Sequence, residues 1–357
     1  MTSPNSRHAH VVGLGLIGAS IALALRQTGW TVTGTDLDGD AVRTALAAKV
    51  VESETAALDV ELIVIATPAG TVVDLALQLL DEHDNPSLLV TDVAGVKGSI
   101  VRAVDDPRFL GGHPMAGSEQ RGLGGARADL FSGCTWVLTP TASTLPATYG
   151  ELHGILREIG ANVVAVSADD HDRLVALASH VPHLLAGALM NEATHAAEED
   201  AVLLQMAAGG FRDMTRVAAG DPTIWPDVLF ENHAAVSQTL RALEDRLGAL
   251  RVALDSGSRD VVERSLSTAS VARRQLPGRA LSAENLAYLR VSVSDQPGVL
   301  ASVTMAASDL LVNIYDIEIA HGIEGVGGTL LLAIDATQSA AFTAALVALG
   351  FSVASER

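Results

Sequence analysis

The first 165 or so residues of the chain alternate between two hydrophobic patterns. Short apolar runs, typical of strands, are separated by longer stretches with the 3.6-residue period of an amphipathic helix. The predicted strands are His10–Val12, Thr31–Thr35, Glu61–Ala66, Leu88–Asp92, Phe109–Gly112, Thr135–Thr139 and Asn162–Val166. The predicted helices are Leu16–Gln27, Asp40–Ala48, Ala69–Leu80 and Leu145–Ile159. This alternation predicts an α/β domain of the Rossmann type with a mainly parallel sheet, over residues 1–167.

The pattern changes after residue 167. From there to about Gln275 the helical period persists, with breaks at Gly209-Gly210 and Asp221-Pro222. Long amphipathic helices that cannot cover their apolar faces on a small neighbour usually pack against a second subunit. We therefore expect an all-α dimerisation domain over residues 168–280 and a homodimer.

The last seventy or so residues alternate again, after a predicted linker at Leu276-Pro277-Gly278-Arg279. The predicted elements in order are strand Leu286–Ser294, helix Pro297–Ser308, strands Val312–Ala320 and Gly328–Asp335, helix Ser339–Leu349 and strand Phe351–Ala354. The order β-α-β-β-α-β is that of the ferredoxin-like split unit. Residues 284–357 are therefore expected to form a small α+β domain.

Composition argues against several classes of protein. The single cysteine, Cys134, excludes an intramolecular disulfide and fits a reducing cytoplasm. Asp plus Glu number 42 against 23 Lys plus Arg, so the net charge is −19 and nucleic acid is a poor partner. No run reaches the roughly 18 consecutive apolar residues of a membrane span, and the polar N-terminus does not resemble a signal peptide. We expect a cytoplasmic protein without a membrane partner.

A dinucleotide-binding fingerprint follows the first predicted strand. Gly13-Leu14-Gly15-Leu16-Ile17-Gly18 fits G-x-G-x-x-G and opens the first helix. Gly13 permits the tight turn, Gly15 lets the backbone approach a pyrophosphate, and Gly18 allows close packing of helix on strand. Leu16 and Ile17 lie in the helix turn whose N–H groups face the phosphates. Asp36 ends the second strand, where a carboxylate binds the ribose and repels a 2′-phosphate, so NAD is the expected cofactor.

His113 is the candidate catalytic base. It directly follows the strand-like run Arg108–Gly112, and ligands of doubly wound folds bind at the carboxyl ends of strands. An imidazole there can accept a proton near neutral pH, which alcohol oxidation requires. An unperturbed histidine would lose this activity as the pH falls through roughly 6.5. The alternative is a histidine that merely caps a strand.

Several further blocks accompany His113 in a characteristic order. They are Thr91-Asp92-Val93-Ala94-Gly95-Val96-Lys97, His113-Pro114-Met115-Ala116-Gly117-Ser118-Glu119, Ser179-His180-Val181-Pro182-His183, and Gly209-Gly210-Phe211-Arg212-Asp213-Met214-Thr215-Arg216. Together they resemble the prephenate/arogenate dehydrogenase family of tyrosine biosynthesis. Asp295-Gln296-Pro297-Gly298-Val299-Leu300 and Asn313-Ile314 resemble the ACT domain that some members carry at the C-terminus, so the resemblance covers the whole chain.

The resemblance implies NAD-dependent oxidative decarboxylation of prephenate to 4-hydroxyphenylpyruvate. Arogenate, which would give tyrosine, is the alternative substrate, because it differs only in an amino group where prephenate has a keto group. By this resemblance His113 takes the proton of the ring 4-hydroxyl, and Arg216 binds a substrate carboxylate bidentately with Asp213 orienting it. His183 meets the side-chain end of the substrate. His180 and Glu119 lie nearby.

Two further implications concern regulation and a departure from the pattern. The ACT-like region is expected to bind tyrosine at Asp295–Gly298 with Asn313 as an added contact, or to serve dimerisation alone. Gly95 stands where the family often has a serine that helps to orient the histidine and the substrate. A backbone amide, a water or Thr91 would have to compensate, or the histidine is less well fixed.

Other interpretations remain open at this point. His180 and His183 are three apart, whereas helical zinc ligands usually sit four apart, so no metal is expected. A non-catalytic NAD-sensing regulator would need a basic DNA-binding face. A β-hydroxyacid dehydrogenase would need a lysine in the helical domain, but none follows Lys97. Lys97 itself is expected to be exposed at a helix start, with a position near the cofactor as the alternative, and Trp225 is expected to serve packing.

Overall fold

A computed structural model of the chain describes residues 7–116, 122–199, 202–275, 286–293, 299–312, 314–321 and 328–356. Internal contacts group the chain into two compact units. The first runs to Leu203 and then takes in Met214–Leu243, and the second comprises Leu204–Asp213 and Glu244–Arg357. The residues around His113 that are described below lie in the first unit.

A seven-stranded sheet forms the frame of the first unit. Its strands are β1 (His8–Val12), β2 (Thr31–Thr35), β3 (Leu62–Ile65), β4 (Leu89–Asp92), β5 (Phe109–Pro114), β6 (Thr135–Thr139) and β7 (Asn162–Ala165). Their order is β2-β1-β3-β4-β5-β6-β7. Every neighbouring pair is parallel except β5–β6, which is antiparallel. The expectation of a mainly parallel sheet is confirmed.

Helices cover both faces of this sheet. They are α1 (Leu16–Gln27), α2 (Gly39–Ala47), α3 (Val72–Glu82), α4 (Gly98–Ala103) and α5 (Pro146–Glu158). Successive residues of β3 belong to opposite layers of the core: Leu62 and Val64 pack with α1 and α5, while Ile63 and Ile65 pack with α3 and α4. A strand that is buried on both faces has a continuous run of apolar residues in the sequence, and this run predicted β3.

A helical region follows the sheet. Its helices are α6 (Ala168–Val175), α7 (Val181–Glu199), α8 (Gly209–Thr215), α9 (Trp225–Glu231), α10 (His233–Asp255) and α11 (Arg259–Arg274). The breaks expected near Gly209 and Pro222 are present. A π-helical turn, Ala176–His180, joins α6 to α7 just before Pro182. Proline cannot donate to the helical ladder, and its ring crowds the preceding turn, so a widened turn there relieves the conflict.

The last elements form a four-stranded antiparallel sheet with two helices. The elements are β8 (Leu286–Val293), α12 (Val299–Asp309), β9 (Ile314–His321), β10 (Gly328–Asp335), α13 (Ser339–Ala348) and β11 (Ser352–Glu356). The strand order is β11-β8-β10-β9. Leu289 and Val291 of β8 pack with Phe342 and Leu346 of α13 in a small core. The order β-α-β-β-α-β agrees with the expectation.

Candidate functional site

The glycine loop after β1 has the geometry of a dinucleotide site. Gly13 has a φ of +96°, and a Cβ there would lie 2.5 Å from the carbonyl oxygen of Ala66. A Cβ at Gly18 would lie 1.8 Å from the carbonyl oxygen of Gly13. Gly15, by contrast, is exposed with nothing within 4 Å of its Cβ position. Gly13 and Gly18 are therefore required by packing, whereas Gly15 leaves room for a ligand to approach the backbone.

The helix behind this loop presents donors to that space. Gly15 is the N-cap of α1, and no side-chain hydrogen bond caps it. The first N–H groups of Leu16, Ile17 and Gly18 are the kind that bind a phosphate. Asp36, after β2, accepts hydrogen bonds from the Leu14 N–H (2.7 Å) and the Asp38 N–H (2.9 Å). Its carboxylate is thus held beside the loop, and the whole set fits NAD.

His113 lies at the end of β5, at the same edge of the sheet as the glycine loop, because β1, β3, β4 and β5 run parallel. Its Nδ1 lies 2.8 Å from Nε2 of His171, and Nδ1 of His171 lies 2.9 Å from Oδ1 of Asp172. Both partners belong to α6. The strand continues through His113 rather than ending before it, since it pairs with β6 as far as Pro114.

This chain of three side chains fixes the protons of both imidazoles. A carboxylate only accepts, so Nδ1 of His171 carries the proton that it donates to Asp172. In a neutral His171 ring Nε2 is then an acceptor, and Nδ1 of His113 donates to it. The lone pair of His113 is left on Nε2, which is the arrangement of a general base held by second-layer hydrogen bonds.

The surroundings keep the His113 imidazole uncharged. Burial lowers the pKa of His113 well below its ordinary value of 6.5, and the neighbouring His171, Lys97 and His180 lower it further. A base must be neutral to accept a proton. His113 therefore stays competent at pH values where an exposed histidine would already be protonated.

Asp172 also joins α6 to the loop after β4. Its Oδ1 accepts the Lys97 N–H and its Oδ2 accepts the Gly98 N–H, both at 2.8 Å, so it caps the N-terminus of α4. A Cβ at Gly98 would lie only 2.7 Å from Oδ2. Burial alone would raise the pKa of Asp172. The hydrogen bonds from His171, Lys97 and Gly98 outweigh burial and lower this pKa, so the carboxylate is charged.

The expectation that Lys97 is exposed was wrong. Its side chain is fully buried, and Nζ forms an ion pair with Asp92. Burial lowers the pKa of Lys97, and the Asp92 carboxylate opposes that shift. The helix start was anticipated correctly, but the side chain folds back against Gly111 of β5 to reach a carboxylate that no local pattern pointed to.

Gly95 leaves space beside Nε2 of His113. A Cβ there would lie 3.8 Å from Cε1 and Nε2 of His113, and 3.8 Å from Cγ1 of Val228. These are ordinary contact distances, so glycine is not required by packing. Thr91 does not compensate for the missing hydroxyl, because its own hydroxyl donates to the Leu110 carbonyl at 2.7 Å. The His171 hydrogen bond fixes the histidine instead.

His180 and His183 both belong to the first unit but differ in their surroundings, and only His180 is among the groups that lower the pKa of His113. His180 is buried, and Asn232 Nδ2 lies 3.2 Å from its Nδ1 and donates to the Asp172 carbonyl at 2.8 Å. Burial lowers the pKa of His180 to about 4. His183 stacks on Trp225 with ring centroids 3.7 Å apart, and burial lowers its pKa as well. Trp225 therefore packs, as expected, but against a predicted site residue.

The remaining predicted residues are less closely grouped. Arg216 is exposed and begins the turn Arg216–Ala219, which packs on α7. The turn leads to Gly220, whose Cβ position lies 3.4 Å from Cε1 of His183. Asp213 belongs to the second unit. Four predicted residues lie outside the described residues: Glu119, Asp295, Gly298 and Asn313.

Sequence reasoning missed His171 and Asp172. The only signal was a histidine among carboxylates, Asp169-Asp170-His171-Asp172, on a short amphipathic helix. Burial separates these four side chains: His171 is buried and Asp172 is largely so, while Asp169 and Asp170 are exposed. A helical wheel would have put His171 on the buried face, but not against a strand 58 residues away.

The described residues were also searched for a metal site and for helices that could span a membrane. Among the residues that the structure describes, no group of three or more His, Cys, Asp or Glu side chains could hold a metal ion. One helical stretch, Ala168–Glu198, is long and apolar enough to cross a membrane by length and composition, a test that core helices also pass. That stretch contains Asp172 and His180, whose side chains bond to the remainder of the first unit.

Comparison with known proteins points to one family. The model of the prephenate dehydrogenase nucleotide-binding domain matches residues 21–165, and that of the prephenate dehydrogenase dimerization domain matches residues 167–268. A prephenate dehydrogenase of Bacillus subtilis is 30% identical over 333 residues, which is 90% of each chain.

Solved structures agree. A prephenate dehydrogenase from A. aeolicus, in complex with hydroxyphenyl propionate and NAD+, superposes with a TM-score of 0.72 at 26% identity. The match covers 77% of this chain and 100% of that one. Synechocystis arogenate dehydrogenase gives a TM-score of 0.65 at 30% identity, covering 76% of this chain and 100% of that one. The chain is a member of the prephenate dehydrogenase family.

Proposed function

We propose that this protein is an NAD-dependent dehydrogenase that converts prephenate to 4-hydroxyphenylpyruvate by oxidative decarboxylation. The observation that carries the proposal is the chain from His113 through His171 to Asp172. It supplies a neutral imidazole, whose Nε2 has no hydrogen-bond partner among the described residues, at the strand edge that also bears the glycine loop. Membership of the family supports the substrate class.

The first task of the site is to remove one proton. Nε2 of His113 accepts the proton of the ring 4-hydroxyl, and the imidazolium that forms is stabilised through His171 by the charged Asp172. Gly13, Gly15, Leu16, Ile17, Gly18 and Asp36 would hold NAD, which when bound would supply the acceptor for the hydride from C4. Loss of carbon dioxide then makes the ring aromatic, so the protein needs no further group to drive that step.

The second task is to position a small dianion. Arg216 is proposed to bind one substrate carboxylate, with Asp213 orienting the arginine. His183, held flat on Trp225, is proposed to meet the side-chain end of the substrate. His180 and Glu119 complete the proposed pocket, and Gly95 leaves room beside His113 for the substrate hydroxyl.

Arogenate is the second candidate substrate. Similarity to a solved arogenate dehydrogenase over 76% of this chain favours keeping it. The catalytic steps at His113 would be the same, since the two substrates differ only on the side chain. The difference would fall on the contacts made by His183 and its neighbours.

The proposal extends to organisation and regulation. We divide the chain into a Rossmann domain (1–167), a helical dimerisation domain (168–280) and a regulatory domain (284–357), in a cytoplasmic homodimer. The match to a dimerization-domain family supports the dimer. The β-α-β-β-α-β order of the last domain supports an ACT-like fold, with tyrosine as effector at Asp295, Gly298 and Asn313.

The test is the formation of reduced nicotinamide, followed by absorbance, with prephenate and arogenate and with NAD and NADP. We expect turnover of prephenate with NAD, and a loss of at least about a hundredfold in kcat for His113→Asn. Turnover of neither substrate would reject the proposal, and near wild-type turnover of the variant would remove His113 from the mechanism. Tyrosine acting at the regulatory domain should inhibit without competing with prephenate. Purely competitive inhibition would argue for the active site instead.

A further inference from the structure

Lys97 and Asp92 form a fully buried ion pair next to the backbone that precedes His113. Neither Lys97 nor Asp92 has side-chain exposure to solvent. Taking two charges out of water is costly, and a packed apolar pair in their place is often as stable or more so. A buried pair is therefore a weak contributor to stability, and its position relative to the site is the better guide to its role.

Asp92 links the ion pair to the strand that carries the histidine. Its Oδ2 accepts hydrogen bonds from Lys97 Nζ and from the Ala94 N–H (2.9 Å), and its Oδ1 accepts the Gly112 N–H (3.3 Å). Gly112 directly precedes His113. One carboxylate thus ties the end of β4, the loop that bears Gly95, and the backbone beside the base.

The two glycines of β5 that precede His113 have close neighbours around their Cβ positions, and for Gly111 one of these is the Lys97 side chain. A Cβ at Gly111 would lie 3.3 Å from Cδ of Lys97 and 2.6 Å from Oγ1 of Thr139. A Cβ at Gly112 would lie 2.9 Å from the Asp92 carbonyl oxygen. Gly111 therefore leaves the space that the Lys97 side chain occupies, whereas Gly112 allows β5 to lie close to the end of β4.

The backbone of Lys97 also contacts the hydrogen-bond chain that runs from His113 through His171 to Asp172. Its backbone N–H donates to Asp172, the last member of the chain that orients the imidazole. Among the described residues, the charged and titratable groups around His113 are Asp92 at the end of β4, Lys97 from the loop after it, His171 and Asp172 from α6, and His180 from the π turn. Among these, the Lys97 cation is one of the groups that lower the pKa of His113.

We propose that Lys97 is a positioning residue: its buried ammonium, clamped by Asp92, fixes the loop that supports His113 and keeps that imidazole uncharged and ready to accept a proton. The catalytic meaning of this role rests on the proposed function. The effect on the charge of His113 does not, because it concerns the protein before any substrate binds.

The experiment titrates His113 by NMR in the full chain, with its signal assigned from the His113→Asn variant. Lys97→Met removes the cation but leaves Asp92 without a counter-ion, so the double variant Asp92→Asn/Lys97→Met is prepared beside it. Lys49→Met is the control, since Lys49 is exposed and is the only other lysine of the chain.

We expect the midpoint of the His113 titration to rise by about one pH unit in the double variant, and further in the single variant, with no change in the control. In the activity assay kcat of the double variant should fall about tenfold while KM stays within about twofold. Wild-type midpoints in the double variant would overturn the proposal. So would its failure to fold, since the pair would then serve stability. If wild-type protein turns over neither prephenate nor arogenate, the proposed function fails, while the titration still decides the role of Lys97.

Discussion

Asp172→Asn tests the support of the base most directly. Oδ1 of Asp172 accepts from His171 and from the Lys97 N–H, and Oδ2 accepts from the Gly98 N–H. Asparagine keeps the shape but replaces one oxygen by an NH₂ group that only donates. With the amide oxygen at the Oδ1 position only the Gly98 bond is lost, whereas the opposite orientation loses the other two. The first orientation is therefore expected.

The expected losses of kcat and of stability in Asp172→Asn follow from these hydrogen bonds. The variant keeps the His171 tautomer but loses the negative charge that stabilises the imidazolium. A hydrogen bond to a charged group contributes about 1.5–3 kcal/mol, so kcat should fall roughly 10- to 150-fold. Leaving the Gly98 N–H without an acceptor should lower the free energy of unfolding by about 1–3 kcal/mol.

The assay measures kcat from nicotinamide absorbance and the free energy of unfolding from urea denaturation. Asp169→Asn is the control, because Asp169 lies on the same helix, is exposed, and pairs only with Arg102 on the surface. Such pairs contribute about 0–1 kcal/mol. If Asp172→Asn loses stability but keeps kcat within twofold of the control, Asp172 is only a helix cap and the reasoning about the relay is refuted.

Three further results are expected. Gly95→Ser should fold normally, and its hydroxyl beside His113 should raise kcat/KM about two- to tenfold; a decrease would mean that substrate needs the space. The acid limb of kcat/KM should lie below pH 6.5, because the pKa of His113 is lowered and the base stays neutral until the pH falls further; a limb centred at or above 6.5 would contradict this. Burial lowers the pKa of His10 to about 4 in the folded chain, so unfolded protein binds more protons below pH 6.5 and stability should fall by roughly 3 kcal/mol between pH 6.5 and 4. His10→Gln should abolish that part of the slope in urea titrations, and an unchanged slope would assign it to other groups.

The parts of the fold that sequence predicted well are those with a local signal. The glycine loop, α1 and β3 are recognisable because turn chemistry and hydrophobic period act over a few residues. Boundaries were less accurate where tertiary pairing decides them. β5 extends through His113 because β6 lies alongside it, and α4, only six residues long, has too short a period to be delimited from the sequence.

The candidate site divides in the same way. His113 was identified because a strand end and a family resemblance both point to it. His171 and Asp172 were not, since their roles depend on α6 lying against the loop after β4, and the hydrogen bond from Lys97 to Asp172 spans 75 residues. The resemblance predicted that a backbone amide, a water or Thr91 compensates for the serine that Gly95 replaces, or that the histidine is less well fixed. The structure shows instead a second histidine on the other nitrogen of His113.

By itself the sequence determined the α/β alternation, the cofactor loop and the position of the base. Each of these depends on the size and polarity of side chains that are close together in the chain. Tertiary structure alone decided which charges are buried and which nitrogen of His113 is hydrogen-bonded to His171. Lys97 could be read as an exposed lysine at a helix start until β4, β5 and Asp92 enclosed it. Burial and hydrogen-bond partners belong to the packed arrangement of distant segments, and the protonation state of the site follows from them.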